Sequence, residues 1–404
     1  MWPCPELDEV VHIRTGTINP LKYPEMEFEL FSIPGFDIGS PEIKVGSEIL
    51  SNKNVVKPDD VLFSKLNPRI PRIWIVPKSK HRRQISSTEF WPLVCDQRLL
   101  SNHYLRYFLL KLAKEGVFSD SIEAATRSRS RIKPFHLLHQ HIPLPPLSEQ
   151  RRIVEILDQA DALRKKRAEA DAKAARILPA LFYKMFGDPA TNKDQTFQSL
   201  VDCAEILMGQ SPPGETYNRE GDGLPFFQGK LEFGSVHPIV RQWCSSPTRI
   251  AEPGDVLLCV RAPVGPTNIA DTKCAIGRGL AIIRPIPSKS TTEFLFYSMR
   301  VIEKDLAKIA QGSTFTAIRR QDVEKIRVPK AGMKEQAAFS AKAKIIQVLI
   351  DKGTTSINNI ERLFIVLLHR AFTGDLTAKW REAHMKELLQ EMEQQAKELE
   401  IKEP

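Results

Sequence analysis

Apolar residues along the chain fall into two kinds of pattern. Short runs rich in β-branched or aromatic residues, bounded by Pro and Gly, predict strands at Asp60-Val-Leu-Phe-Ser, Arg72-Ile-Trp-Ile-Val, Asp255-Val-Leu-Leu-Cys-Val and Leu280-Ala-Ile-Ile-Arg. Recurrence at three and four positions predicts helices over Ser101 to Glu115 and Thr291 to Ile309. Two further segments carry a seven-residue repeat. In the first, Ile153, Ala160, Ala174 and Leu181 share one position and Ile156, Leu163, Ala170 and Ile177 its partner, with Arg and Lys between, as in a coiled-coil seam. The second keeps the phase with Phe339, Ile346, Ile360 and Leu367, and with Leu349 and Leu363, while Gly353 and Ser356 weaken its middle. Pro179 should end or kink the first of these helices. About 31 regular residues then remain, or about 46 Å at roughly 1.5 Å per residue.

The same phase in both segments reflects a tandem duplication. Ile142-Pro-Leu-Pro-Pro-Leu-Ser-Glu-Gln150 returns 186 residues later as Val328-Pro-Lys-Ala-Gly-Met-Lys-Glu-Gln336. That displacement also pairs Leu181-Phe-Tyr-Lys-Met-Phe186 with Leu367-Leu-His-Arg-Ala-Phe372. Upstream, with small length changes, Pro58-Asp-Asp-Val-Leu-Phe63 resembles Pro253-Gly-Asp-Val-Leu-Leu258. The expected architecture is α/β (α+β), with a pseudo-twofold duplication. Residues 1–146 form a first globule and 147–187 its helix; 188–332 form a second globule and 333–378 its helix; a charged helical tail covers 379–404. Because a globule lies between them, the two long helices can pack on each other antiparallel. A rod of that length holds two globules apart by on the order of one turn of B-DNA, about 34 to 36 Å, with some excess.

Composition narrows the class. With 404 residues, 42% hydrophobic and 26% charged, the chain is a multi-domain globular protein. No apolar stretch approaches the roughly 18 to 20 residues of a membrane span, and no signal segment opens the chain, so a soluble, cytoplasmic protein is expected. Six scattered cysteines show no metal-ligand spacing and read as core thiols, with no metal site. The net charge is +9; the tail from Lys379 onward has 5 basic and 7 acidic residues, so the duplicated body carries the excess and suits a polyanionic partner.

Two variable regions, each followed by a Pro-x-x-x-x-x-Glu-Gln segment and a long helix, resemble the specificity (S) subunit of type I restriction-modification systems. Pro143-Leu-Pro-Pro-Leu-Ser-Glu-Gln-Arg-Arg-Ile153 is the strongest single motif, and the likeness extends to about residue 378. In the second copy Ala331, Gly332, Met333, Ala337 and Ala338 replace the Pro-rich, basic character of the first. The resemblance implies two target recognition domains, each reading one half of a bipartite site on double-stranded DNA. It also implies helices that set the spacer and dock modification (methyltransferase) subunits, two in number. The junction residues Pro143, Glu149, Gln150, Arg151, Arg152, Glu335 and Gln336 are the docking candidates. No cofactor belongs to this chain; S-adenosylmethionine is implied for the modification subunits, and ATP and Mg2+ for restriction (endonuclease/translocase) subunits.

DNA affinity needs Lys and Arg at phosphates, and specificity needs side chains that reach base edges. A basic stretch contributes Lys65, Asn67, Arg69 and Arg72. A hydroxyl-rich basic loop, Arg127, Ser128, Arg129, Arg131 and Lys133, precedes the first junction. Its repeat counterpart holds Ser313, Thr314, Arg319 and Arg320. Arg261 follows the strand equivalent to the one before Lys65, and Lys230 lies in a variable loop.

Catalytic motifs are lacking. Ser211-Pro-Pro-Gly214 ends in Gly where an amino-methyltransferase motif needs an aromatic ring to stack on a flipped base, and reads as a turn. Asp59 or Asp60 could open a nuclease motif, but Glu42-Ile-Lys44 precedes it in the wrong order. The chain therefore reads as non-catalytic. Two competing readings are a self-sufficient methyltransferase or nuclease and a coiled-coil scaffold that binds no DNA.

Overall fold

The computed structural model describes residues 2–79, 81–118, 131–187, 197–311 and 317–400. The chain divides into two compact units. Unit 1 contains residues 1–166 and 357–404, and unit 2 contains residues 167–356. Each unit therefore holds one globule together with part of both long helices, a different division from the five segments expected.

Each globule repeats one plan. In unit 1 an antiparallel sheet runs Val11–Ile13, Phe90–Cys95, Val61–Ser64, Ile73–Ile75; in unit 2 the order is Ala204–Met208, Leu280–Pro285, Val256–Cys259, Thr267–Ile269. The inner strands Val61–Ser64 and Val256–Cys259 are buried on both faces, which explains their unbroken apolar runs. Val61 and Phe63 point into the main core of unit 1, whereas Leu62 packs with Phe31, Val76 and Phe90. Val256 and Leu258 alternate with Leu257 and Cys259 in the same way. Helix Asn102–Lys114 covers one sheet, as predicted. The helix predicted over 291–309 instead breaks at Ile302, which closes Thr292–Val301 and whose carbonyl accepts the Asp305 and Leu306 amides of Glu303–Gln311.

A second sheet in each globule shares four strands in one order. Lys53–Val55, Arg83–Ser86, Glu27–Phe31 and Glu42–Val45 match Ile250–Ala251, Cys274–Ile276, Leu224–Phe227 and Trp243–Cys244, with the middle pair parallel in both. The fifth strand sits on opposite edges. Thr17–Ile18 joins beside Lys53–Val55, whereas Tyr217–Asn218 joins beside Trp243–Cys244.

The first long helix spans Leu147–Ala174 and the second Met333–Thr373. The first stops a few residues earlier than expected. Pro179 has no N–H for the Ala175 carbonyl, so the helix ends at Ala174 and a new one begins at Ile177. Within unit 1 the helices run antiparallel, with Arg164 2.7–3.4 Å from its partners Asp161 and Glu361 along and across the pair. Within unit 2 the following helix, Ile177–Phe186, runs antiparallel to the start of the second long helix, with Phe182 and Phe186 each 5.5 Å from Phe339.

One row of each predicted seam faces inward as expected, Ile153 and Phe339 being fully buried. The second row is corrected by one residue. Leu157, Leu178, Phe364 and Ala371 are buried, whereas Leu163, Leu349 and Leu363 are 63%, 62% and 56% exposed. Gly353 does not weaken the second helix. A Cβ there would lie 2.1 Å from the Arg167 guanidinium, so glycine leaves the room in which Arg167 pairs with Asp171 against the second helix.

The tail consists of Ala378–Ala383 and Met385–Glu400 and packs on unit 1, with Leu388 and Gln395 buried. Among the described residues no helix is long and apolar enough to cross a membrane.

Candidate nucleic-acid interface

In each copy the strand that follows the Pro-x-Asp turn delivers a basic loop to the same place. In unit 1 strand Val61–Ser64 ends in a turn that Ser64 Oγ holds by donating to the Leu66 carbonyl at 3.0 Å. The Lys65 amide donates to Glu89 O at 2.9 Å, and Ile132 N donates back to Lys65 O at 3.2 Å. Leu66 thereby bridges Arg131. In unit 2 Val260 N donates to Gly279 O and Ile318 N to Val260 O, both at 2.9 Å, and Arg261 bridges Ala317. Two loops far apart in sequence are thus joined twice over, by the same backbone device.

The bridge brings Lys65, Asn67 and Arg69 to Arg131 and Lys133 in unit 1, and Arg261 to Arg319 and Arg320 in unit 2. Asn67 lies in the left-handed region (φ 51°), where its short polar side chain is tolerated, and its carbonyl accepts Ile70 N to fold the loop back. Arg69, Arg261 and Lys230 are exposed. The turn at Lys230–Glu232 approaches the same place, because Gln228 O lies 2.0 Å from a Cβ built on Gly279. Other candidates have partners within the chain. Arg72 holds Asp37 by two hydrogen bonds of 2.9 and 3.2 Å, which keeps the Asp37 carboxyl below its ordinary range. Arg131 pairs with Glu89 at 2.6 Å, and Arg320 with Glu324 at 2.7 Å. Arg127, Ser128, Arg129, Ser313 and Thr314 lie outside the described residues.

Arg278 was missed by sequence reasoning. It is exposed between Gly277 and Gly279, next to the carbonyl that anchors Val260. The signal was the Gly-Arg-Gly step at a strand end.

The Asp60 carboxylate is buried and fully engaged. It accepts the Lys57 amide at 2.8 Å and Arg14 Nε and Nη2 at 2.7 and 2.8 Å. Asp255 repeats the arrangement with Glu252 N and with Arg284 at 2.9 and 2.7 Å. The two copies recruit the arginine from different strands. This carboxylate fixes the turn that launches the loop-bearing strand, which is a different task from the metal-binding one considered for Asp59 and Asp60. Ser211 likewise serves a turn, accepting Arg278 N at 3.3 Å.

The junction motifs are corrected in part. Gln150 is fully buried; its Oε1 accepts Ser101 N at 2.9 Å and its Nε2 donates to Leu99 O and Pro145 O at 2.7 and 2.8 Å. Gln336 does the same with Thr291 N, Lys289 O and Ala331 O at 3.0, 3.0 and 2.9 Å. Each glutamine therefore staples the start of a long helix to the loop before the sheet-covering helix and has no atom left for a partner. Glu149 is also fully buried. Arg151 and Glu335 are exposed, Pro143 is half-buried with its carbonyl accepting Tyr104 OH at 2.8 Å, and Arg152 pairs with Glu155 at 2.6 Å. The seam shift leaves another surface, with Leu163, Leu363 and Val366 exposed on unit 1 and Ile345, Val348 and Leu349 on unit 2.

Fold and interface together define a protein with two like domains, each presenting a pair of bridged basic loops and each stapled to long paired helices. Comparison with known proteins gives that class its family. Residues 2–171 and 193–362 each match the type I restriction modification DNA specificity domain, and the chain belongs to that family. It is similar to the putative type I restriction enzyme MjaX specificity subunit of Methanocaldococcus jannaschii, 30% identical over 94% of each chain. It is also similar to a chain solved to describe complex assembly and conformational transition of the type I R-M system. That match has 32% identity, a TM-score of 0.59, and covers 93% of this chain and 98% of the other. The type I restriction-modification S subunit of M. genitalium shares the fold at 13% identity and a TM-score of 0.57, covering 92% and 96%.

Proposed function

We propose that the chain is the DNA sequence-recognition subunit of a type I restriction-modification complex. Each unit reads one half of a bipartite target on double-stranded DNA, and the paired helices set the gap between the halves. The observation that carries this reading is the repeated bridge, Leu66 to Arg131 and Arg261 to Ala317, which gathers basic side chains at one equivalent place in each copy. Lys65, Asn67, Arg69, Lys133, Lys230, Arg261, Arg278 and Arg319 are the first candidates for phosphates and base edges. Arg72, Arg131 and Arg320 contribute after exchanging or sharing their acidic partners, and Arg127, Ser128, Arg129, Ser313 and Thr314 remain candidates on their sequence alone.

The chemistry belongs to partners. Two modification subunits carrying S-adenosylmethionine dock on the exposed apolar positions of the long helices, flanked by Pro143, Arg151, Arg152 and Glu335. Restriction subunits use ATP and Mg2+. Exposed Ile345, Val348 and Leu349, and Leu363 and Val366, recur at three and four positions on the second long helix and favour a protein partner, since their burial is worth about 25 cal/mol per Å².

Selection from a random duplex library, with and without the modification subunit, tests the reading. Enrichment of a two-part motif with a fixed gap is expected. A single uninterrupted motif, or none, would overturn it.

A further inference from the structure

Glu149 is a carboxylate with no solvent exposure, and two segments distant in sequence converge on it with three donors. Trp2 Nε1 donates to Oε2 at 3.1 Å, while Thr377 Oγ1 and Arg381 Nε donate to Oε1 at 2.6 and 2.8 Å. Arg381 also stacks over the Trp2 ring at 4.7 Å and donates to Gly374 O at 2.7 Å. A buried charge supplied with three donors, one of them a guanidinium, is held far more firmly than a surface pair.

The network joins the beginning of the chain, the start of the first long helix, and the segment just after the second long helix. The tail extends the grip. Glu391 Oε2 accepts the Ser148 amide at 3.1 Å, Gln395 Nε2 reaches the Leu144 and Pro145 carbonyls at 3.4 Å, and Glu398 pairs with Arg98. Among the described residues nothing equivalent surrounds the second copy of the motif. Glu335 is exposed, and its carboxylate merely caps its own helix by accepting Gly332 N at 3.1 Å. There the chain itself runs on from the end of the first helix into Phe197–Ser199, which pairs with Arg327–Pro329 just ahead of the second helix. In unit 1 the matching positions are the chain start, where Pro3 and Pro5 carbonyls accept the Leu144 and Ile142 amides at 2.9 Å. No peptide bond links that start to the end of the second helix, and the Glu149 network stands where such a link would be.

We propose that Glu149, with Trp2, Thr377 and Arg381, is a lock that keeps the far end of the second long helix in register with the start of the first, so that only one gap between the two DNA half-sites is accepted. The inference rests on the recognition reading above. Glu149 acts as a positioning residue, through the helices and without touching DNA. The tail is then part of the ruler, although it lies beyond the duplication.

The test uses the full chain assembled with its modification subunits. Affinity is measured for duplexes carrying both half-sites with the gap at its selected length and one or two base pairs longer or shorter. Wild type should discriminate strongly between gaps. Glu149→Gln keeps the shape but removes the charge and places an NH2 among donors. It should reduce the discrimination ratio by about fivefold or more while leaving base preference within each half-site unchanged. Should Glu149→Gln fail to fold, Arg381→Gln, at a partly exposed position, serves in its place, with Glu382→Gln, at an exposed position of the same short helix, as the control that leaves the ratio intact. Loss of overall affinity or thermal stability with an unchanged gap ratio would make Glu149 merely structural and overturn the proposal. If wild type itself recognises no two-part site, the recognition reading fails instead.

Discussion

Glu149 and Glu335 hold the same place in the repeat, beside glutamines that behave alike, yet one is fully buried under three donors and the other is a solvent-exposed helix cap. Gln150 and Gln336 repeat each other bond for bond because both starts of helix must be stapled to a loop of the same length and shape. The glutamate differs because its surroundings differ. In unit 1 two distant ends of the chain meet there, and in unit 2 the chain is continuous. A repeated motif therefore fixes geometry only where the neighbouring segments repeat as well.

The largest effect is expected where the copies agree most. Asp60→Ala and Asp255→Ala each strand a partly buried arginine and free a turn amide, and each should destabilise its own unit by about 3–5 kcal/mol, measured by hydrogen exchange of the two sheets. Unequal losses would show that recruiting arginine from different strands matters. Next, Gln150→Ala and Gln336→Ala remove three hydrogen bonds apiece and should cost about 2–3 kcal/mol each in denaturant unfolding, by nearly equal amounts.

Acid should act on the helix pair of unit 1. Burial alone would raise the carboxyls of Asp161 and Glu361. Hydrogen bonds from Lys165 and Arg164, and from Lys114 and Arg164, outweigh it and hold both below their ordinary range. A depressed folded-state value means that this stabilisation is complete above the ordinary carboxylate range and is lost as pH falls through the lowered values. The helix pair of unit 1 should therefore open on acidification before its sheet does, and Asp161→Asn should remove part of that sensitivity, as read by proteolysis across pH. The smallest effects belong to the interface. Arg69→Ala and Arg261→Ala should each lower the slope of log affinity against log salt by about 0.9 and cost on the order of 1 kcal/mol, each relaxing one half-site only.

The duplication, the short strands and the first row of each helical seam were readable from residue types because apolar runs and Pro-Gly punctuation are local signals. The second row was displaced because sequence reasoning favours leucine, whereas the helix pair sets Arg164 between Asp161 and Glu361 in unit 1, and Arg167 with Asp171 beside Gly353 in unit 2. Arginine stems fill such a groove while their heads find carboxylates. At the interface, basic residues could be gathered as candidates, but Asp37 and Glu89 as partners of Arg72 and Arg131 are 35 and 42 residues away along the chain. No periodicity reports that distance. The burial of Glu149 was equally hidden, since its donors come from both ends of the chain.

Mapping methylated positions in the genome of a cell that carries this chain, and in the same cell after the gene is deleted, addresses the two-domain reading most directly. A split motif with one fixed gap should be methylated in the first and lost in the second, and Arg261→Ala should degrade one half of it alone. A continuous motif, or a split motif that survives deletion, would contradict the assignment of one half-site to each copy.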